Sequence, residues 1–294
     1  MGSLKEIRNR IKSVKSTRKI TSAMSRIASA RLVKAQNAAT SARPYGERLE
    51  QVVSDLMAGI DADESLNPLL ASPSEVKTVG LVVLTADRGL CGGFNANINR
   101  ATKNFVKQKT AEGIKVEIIA VGRKSESYLR HEGIGIASKH PAPELKSIVD
   151  VSKAVCAETV AMFTSSKDTG LPHVDGFYLL YNHFKNVLVQ EVTNLPLLPF
   201  SPAAGEAGTL APVFEPDPKA LLEHLLPVAL ESRVQQAMFN SIASEIASRR
   251  MAMDSATDNA TELIGDLTLE YNRERQAAIT KELMEIIGGA EALK

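Results

Sequence analysis

Apolar and small side chains recur at alternating three- and four-residue intervals near the start of the chain. The series is Leu4, Ile7, Ile11, Val14, Arg18, Thr21, Ser25, Ala28, Leu32, Ala35, Ala39 and Ala42, resumed by Leu49, Val53 and Leu56. Such spacing places the side chains in one stripe along an α-helix and is typical of a coiled coil. Ser3 and Glu6 have the spacing of a capping box, which predicts that the helix begins there. We therefore predict one long helix over 1–58, with a kink at Pro44 and Gly46.

A second series with the same spacing lies near the end of the chain. Its members are Ile242, Ile246, Arg249, Met253, Ala256, Ala260, Leu263 and Leu267. This pattern predicts a long helix within 213–289 that ends at Gly288 and Gly289, because glycine readily adopts the left-handed conformation that closes helices. Neither helix is stable in water unless its stripe is covered. We therefore predict that the two helices pair as an antiparallel coiled coil.

The two predicted helical segments carry opposite charge, although the chain as a whole is nearly neutral. Residues 1–58 contain 12 Lys or Arg and 4 Asp or Glu, whereas residues 213–294 contain 8 and 14. Opposite charge favours pairing of the two segments, although two independently solvated faces would show the same composition. The totals of 35 basic and 34 acidic residues, with 4% aromatic residues, argue against a nucleic-acid partner.

The segment between the helices alternates strand-like and helix-like patterns. The predicted strands are Val79–Leu84, Val116–Val121, Gly176–His183 and Val187–Val192, with a short apolar piece near Ile134–Ala137, and the predicted helices are Asn95–Thr110, Arg123–His131 and Ser147–Ser165. This order is typical of an open, mostly parallel sheet with an antiparallel edge, as in Rossmann-like α/β domains. We assign 76–199 to this inserted domain and interpret residues 59–75 and 200–212 as linkers.

A glycine-bearing turn at Thr85–Asn95 is the strongest candidate for a binding site in the sequence. It leaves the first strand and opens a helix, which is where phosphate groups bind in many α/β proteins. However, it matches neither GxGxxG nor GxxxxGK[ST], it lacks a lysine, and Asp87 would repel an anion. We therefore predict a tight structural turn in which Cys91 is a small buried side chain.

No arrangement of residues in the sequence indicates catalysis or metal binding. The 5 histidines show no HxxxH or HExxH spacing, the 2 cysteines form no CxxC, and no GxSxG is present. No apolar run approaches the roughly 18 residues that would span a membrane, and charges interrupt the start of the chain too often for a secretion signal. We expect a protein without cofactor or active site of its own. The residues alone leave open a nucleotide-binding α/β protein with helical arms and a coiled-coil adaptor.

Several stretches resemble the gamma subunits of F-type ATP synthases, and together they span nearly the whole chain. They are Lys5–Arg8, Ser16–Thr21 and Ala23–Met24 near the start, Thr85–Asn95 in the middle, and Ala256–Ala260, Tyr271–Gln276 and Ile279–Ala290 near the end. The final stretch is long and specific. The resemblance implies a rotor shaft of paired helices with a globular foot, and it assigns catalysis to the beta subunits.

The same resemblance implies partners and contact residues. The expected partners are the alpha and beta subunits of the catalytic head, the epsilon subunit and the c-ring, with the membrane reached only through the c-ring. The residues expected near the beta-subunit loops are Met24, Arg275, Gln276 and Thr280, and those expected in the foot are Glu215 and Asp217. We expect a bacterial protein at the cytoplasmic face of the inner membrane, because no transit peptide is recognised.

Overall fold

The chain folds into long terminal helices and a five-stranded sheet. This computed structural model describes residues 4–58, 67–73, 75–165, 172–201 and 217–291. Ser3, Glu215 and the greater part of both predicted linkers lie outside the described residues. The chain divides into two compact units, which are described separately: unit 1 consists of Met1–Ser29 with Arg249–Lys294, and unit 2 of Ala30–Ser248.

The helices and strands follow in the order that the sequence predicts. They are α1 (Leu4–Ala58), β1 (Thr78–Leu84), α2 (Phe94–Ala111), β2 (Lys115–Val121), α3 (Arg123–His131), β3 (Ser138–His140), α4 (Ile148–Thr164), β4 (Gly176–Phe184), β5 (Gln190–Leu198) and α5 (Pro218–Glu291). Helix α1 continues through Pro44 over 55 residues. Helix α5 has 74 residues and continues through Gly288 and Gly289, which were predicted to end it. Glycine permits a left-handed helix end but does not impose one.

In unit 1 the two helices pair antiparallel through a partly polar seam. Thr21 Oγ1 lies 2.8 Å from Thr257 Oγ1, and Ser25 Oγ donates to Asp254 Oδ1. Residue numbers therefore rise along α1 as they fall along α5. The apolar residues that are buried in this unit are Ile7, Ala28, Met253, Ala260 and Leu267. All five belong to the predicted stripes, whereas Ile27, one position off the stripe, is 55% exposed.

In unit 2 the sheet is mixed, with the strand order β3-β2-β1-β4-β5. The first four strands are parallel, and β5 runs antiparallel to β4 at one edge. The predicted mostly parallel sheet with an antiparallel edge is confirmed. Two strands are displaced from their predicted positions: β3 follows the apolar piece at Ile134–Ala137, and β5 begins later than Val187 and continues to Leu198. Strand ends depend on the partner strand, which a local pattern does not contain.

The core of unit 2 lies on both faces of the sheet. On one face, Leu81, Ile118 and Leu180 of the strands pack with Ile98 of α2 and Leu129 of α3. A short 3₁₀ helix, Pro68–Leu70, buries Leu69 and Leu70, and the N–H of Phe200 donates to Leu69 O at 2.7 Å. The described ends of both predicted linkers are therefore packed against the domain.

Helix α5 contacts both α1 and the sheet within unit 2. Glu50 of α1 pairs with Arg233 of α5 at 2.8 Å, and Ser244 Oγ of α5 donates to Asn182 O of β4 at 3.0 Å. Most side chains of α5 between Ala229 and Ser248 are therefore buried or half-buried. A simple two-helix coiled coil would bury only one stripe of this segment.

Candidate functional site

Two side chains of the glycine-bearing turn after β1, Thr85 and Asp87, accept hydrogen bonds from backbone N–H groups of α3. Asp87 Oδ1 accepts a hydrogen bond from the N–H of Arg123 at 2.9 Å, and Thr85 Oγ1 accepts one from the N–H of Ser125 at 2.9 Å. Both donors belong to the first turn of α3, where unpaired N–H groups could otherwise bind phosphate. The carboxylate of this turn therefore caps a neighbouring helix, and the interpretation of Thr85–Asn95 as a structural turn stays a prediction.

Both cysteine side chains are buried in unit 2. Cys91 is 2% exposed, and Asn95 Nδ2 donates to its sulfur at 3.1 Å. Cys156 on α4 is 7% exposed. Burial, with a smaller contribution from the carboxylate of Glu231, raises the pKa of the Cys156 thiol to about 12. A thiol with such a pKa is protonated at neutral pH and is a weak nucleophile.

Three basic side chains line an open groove on unit 1. The groove has a volume of about 490 Å³ and is lined by Arg18, Lys19, Ser22, Ala23, Arg26, Thr257 and Thr261. It forms because the residues between the charges, Ser22, Ala23, Thr257 and Thr261, are small. Met24 follows Ala23 on α1 and is half-buried. Three cations around small side chains favour an acidic partner segment.

The other predicted beta-subunit contact residues lie near the end of α5, well away from Met24. Arg275, Gln276 and Thr280 are all exposed. Because Thr257 lies beside Thr21, Arg275 is about five helical turns, or roughly 27 Å, further along α5 than this pair. The four residues therefore form two separate surfaces of unit 1.

Only one of the two predicted foot residues can be described. Asp217 is exposed and caps α5: its Oδ2 accepts from the N–H of Ala220 at 3.1 Å, and its carbonyl accepts from the N–H of Leu221 at 3.0 Å. Glu215 lies outside the described residues. One carboxylate oxygen of Asp217 thus caps the start of α5, and the charged side chain remains exposed at the surface.

Sequence reasoning did not single out Arg233, the most deeply buried arginine of the described residues at 8% exposure. The signal that could have found it is its place in an apolar series, Leu226, Leu230, Arg233 and Ala237, with the spacing 4, 3, 4. A charge within such a stripe must find partners when the stripe is buried. Glu50 and the carbonyl of Ser201 are two of those partners.

The fold and these surfaces define a class of protein: one with paired terminal helices that acts through the surfaces it presents to partners. Within the described ranges, no group of three or more His, Cys, Asp or Glu side chains is arranged to hold a metal ion. Among the helices described, none is both long and apolar enough to cross a bilayer.

Comparison with known proteins identifies the family. Residues 3–293 match the family described as ATP synthase. The chain is 42% identical over 296 residues to the ATP synthase gamma chain of Anaeromyxobacter sp. strain Fw109-5, and 43% identical over 296 residues to that of Geobacter metallireducens. Both alignments cover 100% of this chain and 100% of the relative. The chain therefore belongs to the gamma-chain family of ATP synthase.

The fold agrees with this assignment. A chain of the rotor of Euglena gracilis mitochondrial ATP synthase superposes with a TM-score of 0.65 at 19% identity, covering 95% of this chain and 99% of that one. The gamma chain is a non-catalytic, central-stalk subunit of the synthase, and catalysis takes place in the beta subunits. The sequence-based expectation of this family and of a non-catalytic role is confirmed by the full-length relatives.

Proposed function

We propose that this chain is the rotor that couples proton-driven rotation of the c-ring to conformational changes at the beta-subunit catalytic sites. In this proposal the paired helices turn inside a ring of alpha and beta subunits. The observation that carries it is the exposed apolar face at the end of α5, because that face requires a partner protein.

Every described side chain from Ile279 to Gly289 is exposed. The large apolar ones, each at least half exposed, are Ile279, Leu283, Met284, Ile286 and Ile287. The register set by Thr21 and Thr257 brings Leu4, the first described residue of α1, opposite α5 residues near 275. The last turns of α5 therefore have no described part of α1 beside them. At 100° per residue these side chains share one face of α5, roughly 160° wide. An exposed apolar face of this extent marks a surface that binds another protein.

We assign the beta-subunit contacts to two levels of unit 1. Met24 forms one level, on the face of α1 away from the basic groove, and Arg275, Gln276 and Thr280 form the other. The groove supports a partner at the first level, because Arg18, Lys19 and Arg26 would attract an acidic loop to this part of α1. Exposure of the other three side chains supports the second, because each is accessible to a surrounding subunit.

The foot and the cellular location complete the proposal. Asp217, together with Glu215, would contact the c-ring, and the epsilon subunit would bind beside them. The arms would be 1–58 and 213–289, with 76–199 as the inserted domain. The chain would work at the cytoplasmic face of a bacterial inner membrane and reach the membrane only through the c-ring. Cross-linking from an Asp217→Cys variant in the assembled synthase tests the foot contact: a product with the c subunit supports it, and a product with an alpha or beta subunit contradicts it.

The variant Met24→Lys tests coupling directly. It adds a cation at the same level of α1 as the groove but on another face, and we expect it to hold an acidic beta-subunit loop too firmly for productive rotation. In the assembled synthase, ATP hydrolysis should continue while ATP-driven proton pumping falls by about tenfold, because a firmly held loop uncouples turnover from rotation. The measurement is the ratio of pumping to hydrolysis in membrane vesicles.

Asn37→Lys is the matched control, since it adds the same charge at a different, exposed position of α1. It should leave the ratio of pumping to hydrolysis unchanged. Unaltered pumping by Met24→Lys would remove Met24 from the coupling contacts. A chain that fails to co-purify with nucleotide-hydrolysing subunits would contradict the rotor proposal itself and favour an adaptor.

A further inference from the structure

The buried guanidinium of Arg233 lies where three segments of unit 2 meet. Its Nε donates to Glu50 Oε1 at 2.8 Å, and its Nη2 donates to the carbonyl of Ser201 at 2.9 Å. The guanidinium carbon lies 4.2 Å from the centre of the Phe200 ring, within the range of a cation–π contact. Glu50 belongs to α1, Arg233 to α5, and the other two partners follow β5.

The segment that follows β5 is itself firmly attached to the α/β domain. Phe200 is 3% exposed, and its N–H donates to the carbonyl of Leu69 at 2.7 Å. Strand β5 pairs with β4 over Phe177–Phe184. Ser201 follows β5 closely in the chain, so it moves together with this edge of the sheet. Arg233 thus joins α1 and α5 to the edge of the sheet through directed contacts.

The two helices approach each other closely beside this arginine. A Cβ atom added at Gly46 would lie 1.5 Å from Gln236 Nε2 and 3.0 Å from Ser232 Oγ. The helix pair therefore has little space in which to adjust near Arg233. A twist between the helix pair and the sheet would instead have to distort the contacts of the guanidinium.

Two further contacts between α5 and the domain are neutral single hydrogen bonds. Ser244 Oγ donates to Asn182 O at 3.0 Å, and Ser248 Oγ donates to Cys91 O at 2.7 Å. Apolar packing has no preferred direction and resists sliding weakly, whereas a planar guanidinium holds its partners at defined angles. Charge-assisted hydrogen bonds are also stronger than neutral ones.

We propose that Arg233 is a positioning residue that transmits rotation from the α/β domain to the paired helices of unit 2. This inference rests on the proposed rotor function. Torque applied to the domain reaches the edge of the sheet, passes through Phe200 and Ser201 to Arg233, and from Arg233 to Glu50 on α1. The ion pair is mostly buried, so salt screens it weakly.

The conservative variant Arg233→Lys separates charge from geometry. A lysine ammonium can still neutralise Glu50, but it cannot form a planar fork to Glu50 and Ser201 together or stack on Phe200 in the same way. If Arg233 served only to neutralise Glu50, the lysine variant would behave as wild type. If Arg233 transmits rotation, the lysine variant still folds and assembles, but its sheet twists more easily against the helix pair of unit 2.

The experiment measures torsional stiffness in the assembled synthase. The catalytic head is fixed to a surface, a bead is attached to the exposed variant position Lys107→Cys on α2, and rotation is arrested with a non-hydrolysable nucleotide. We expect Arg233→Lys to increase the angular variance of the bead roughly twofold, in proportion to the strength lost when directed charged contacts are replaced. The ratio of protons pumped to ATP hydrolysed against a proton gradient should fall in the same variant.

The matched control is Gln235→Ala, whose side chain bonds to Glu231 on the same helix. It should leave the angular variance unchanged. Glu50→Gln, which keeps an acceptor but removes the charge, should give an intermediate variance. Wild-type variance in Arg233→Lys, with normal assembly, overturns the inference and leaves the rotor proposal intact. Absence of any rotation when the wild-type chain is assembled overturns the rotor proposal itself.

Discussion

At the scale of single residues, the absence of a side chain at Gly80 determines how β1 packs. A Cβ atom added there would lie 2.0 Å from the Phe177 ring, and this ring is fully buried on the neighbouring strand β4. The space that Gly80 leaves empty is therefore filled by an aromatic side chain near the centre of the sheet. Close packing of this kind tolerates little added volume.

We predict that Gly80→Ala destabilises the protein by about 1–3 kcal/mol, because the ring or the strand must move. Gly265→Ala is the contrasting variant: no atom lies within 4 Å of the added Cβ, and the position is inside α5. It should stabilise the helix by roughly 0.5–1 kcal/mol. Urea unfolding measures both changes, and equal midpoints for Gly80→Ala and wild type would contradict the packing argument.

The buried thiols lead to a second prediction at this scale. The pKa of Cys156 is raised by burial to about 12, and Cys91 is 2% exposed. Neither thiol should react with a disulfide reagent at neutral pH in the folded chain, because the thiolate is the reactive form. Both should react when guanidinium unfolds the protein. A Lys107→Cys variant is the control and should react at once, whereas rapid reaction of the native wild-type chain would contradict the prediction.

At the scale of helices and strands, polar residues in the seam of unit 1 specify how α1 and α5 align. Thr21 is hydrogen-bonded to Thr257, and Ser25 donates to Asp254. Asp254 Oδ2 also lies 3.7 Å from Arg250 Nε on the same helix. A shift that brought Ala28 in place of Ser25 opposite Asp254 would leave the carboxylate against a side chain that cannot donate to it. Polar residues at seam positions favour one register at some expense of stability.

Paired cysteines test this register. Oxidation of the double variant Thr21→Cys, Thr257→Cys should give an intramolecular disulfide, because the two native side chains are in contact at 2.8 Å. The control Thr21→Cys, Thr268→Cys should not cross-link, since position 268 lies about 16 Å further along α5. Non-reducing electrophoresis distinguishes the products. Cross-linking in the control alone would show that the register is wrong.

Predicted helices agree with the structure better than predicted strand ends do. Helices α2 and α4 begin and end within one residue of their predicted bounds, and the bounds of α3 agree. Helical periodicity and breaking residues are local, so the sequence contains them directly. The start of β5 depends instead on its hydrogen bonds to β4, and it begins at Gln190 rather than Val187.

At the scale of the whole molecule, α5 changes from a buried to an exposed helix along its length. In unit 2, most of its side chains from Ala229 to Ser248 are buried or half-buried. In unit 1, its side chains from Ile279 to Gly289 are exposed. The buried segment packs α5 against the rest of unit 2. The exposed segment presents apolar surface that a partner can bind.

We predict that serine substitution of Ile279, Leu283, Ile286 and Ile287 separates folding from assembly. The thermal midpoint of the isolated chain should change little, because these side chains are already at least half exposed. The assembled synthase should dissociate at a lower urea concentration, because apolar area no longer stabilises the interface. Serine substitution of the exposed charged residues Lys281 and Glu285 is the control, and an equally large effect there would contradict the role of the apolar side chains.

The sequence by itself determined the helical stripes, the order of strands and helices, and the family. Periodicity, breaking residues and motif residues are contained in the order of amino acids. The tertiary structure alone decided that Asp87 caps α3 and that Arg233 joins Glu50 to Ser201. These contacts join residues far apart in the chain, so they exist only after strands and helices have packed. Burial makes the contacts of Arg233 important for stability, because a charge removed from water is tolerated only when the fold supplies hydrogen-bonding partners.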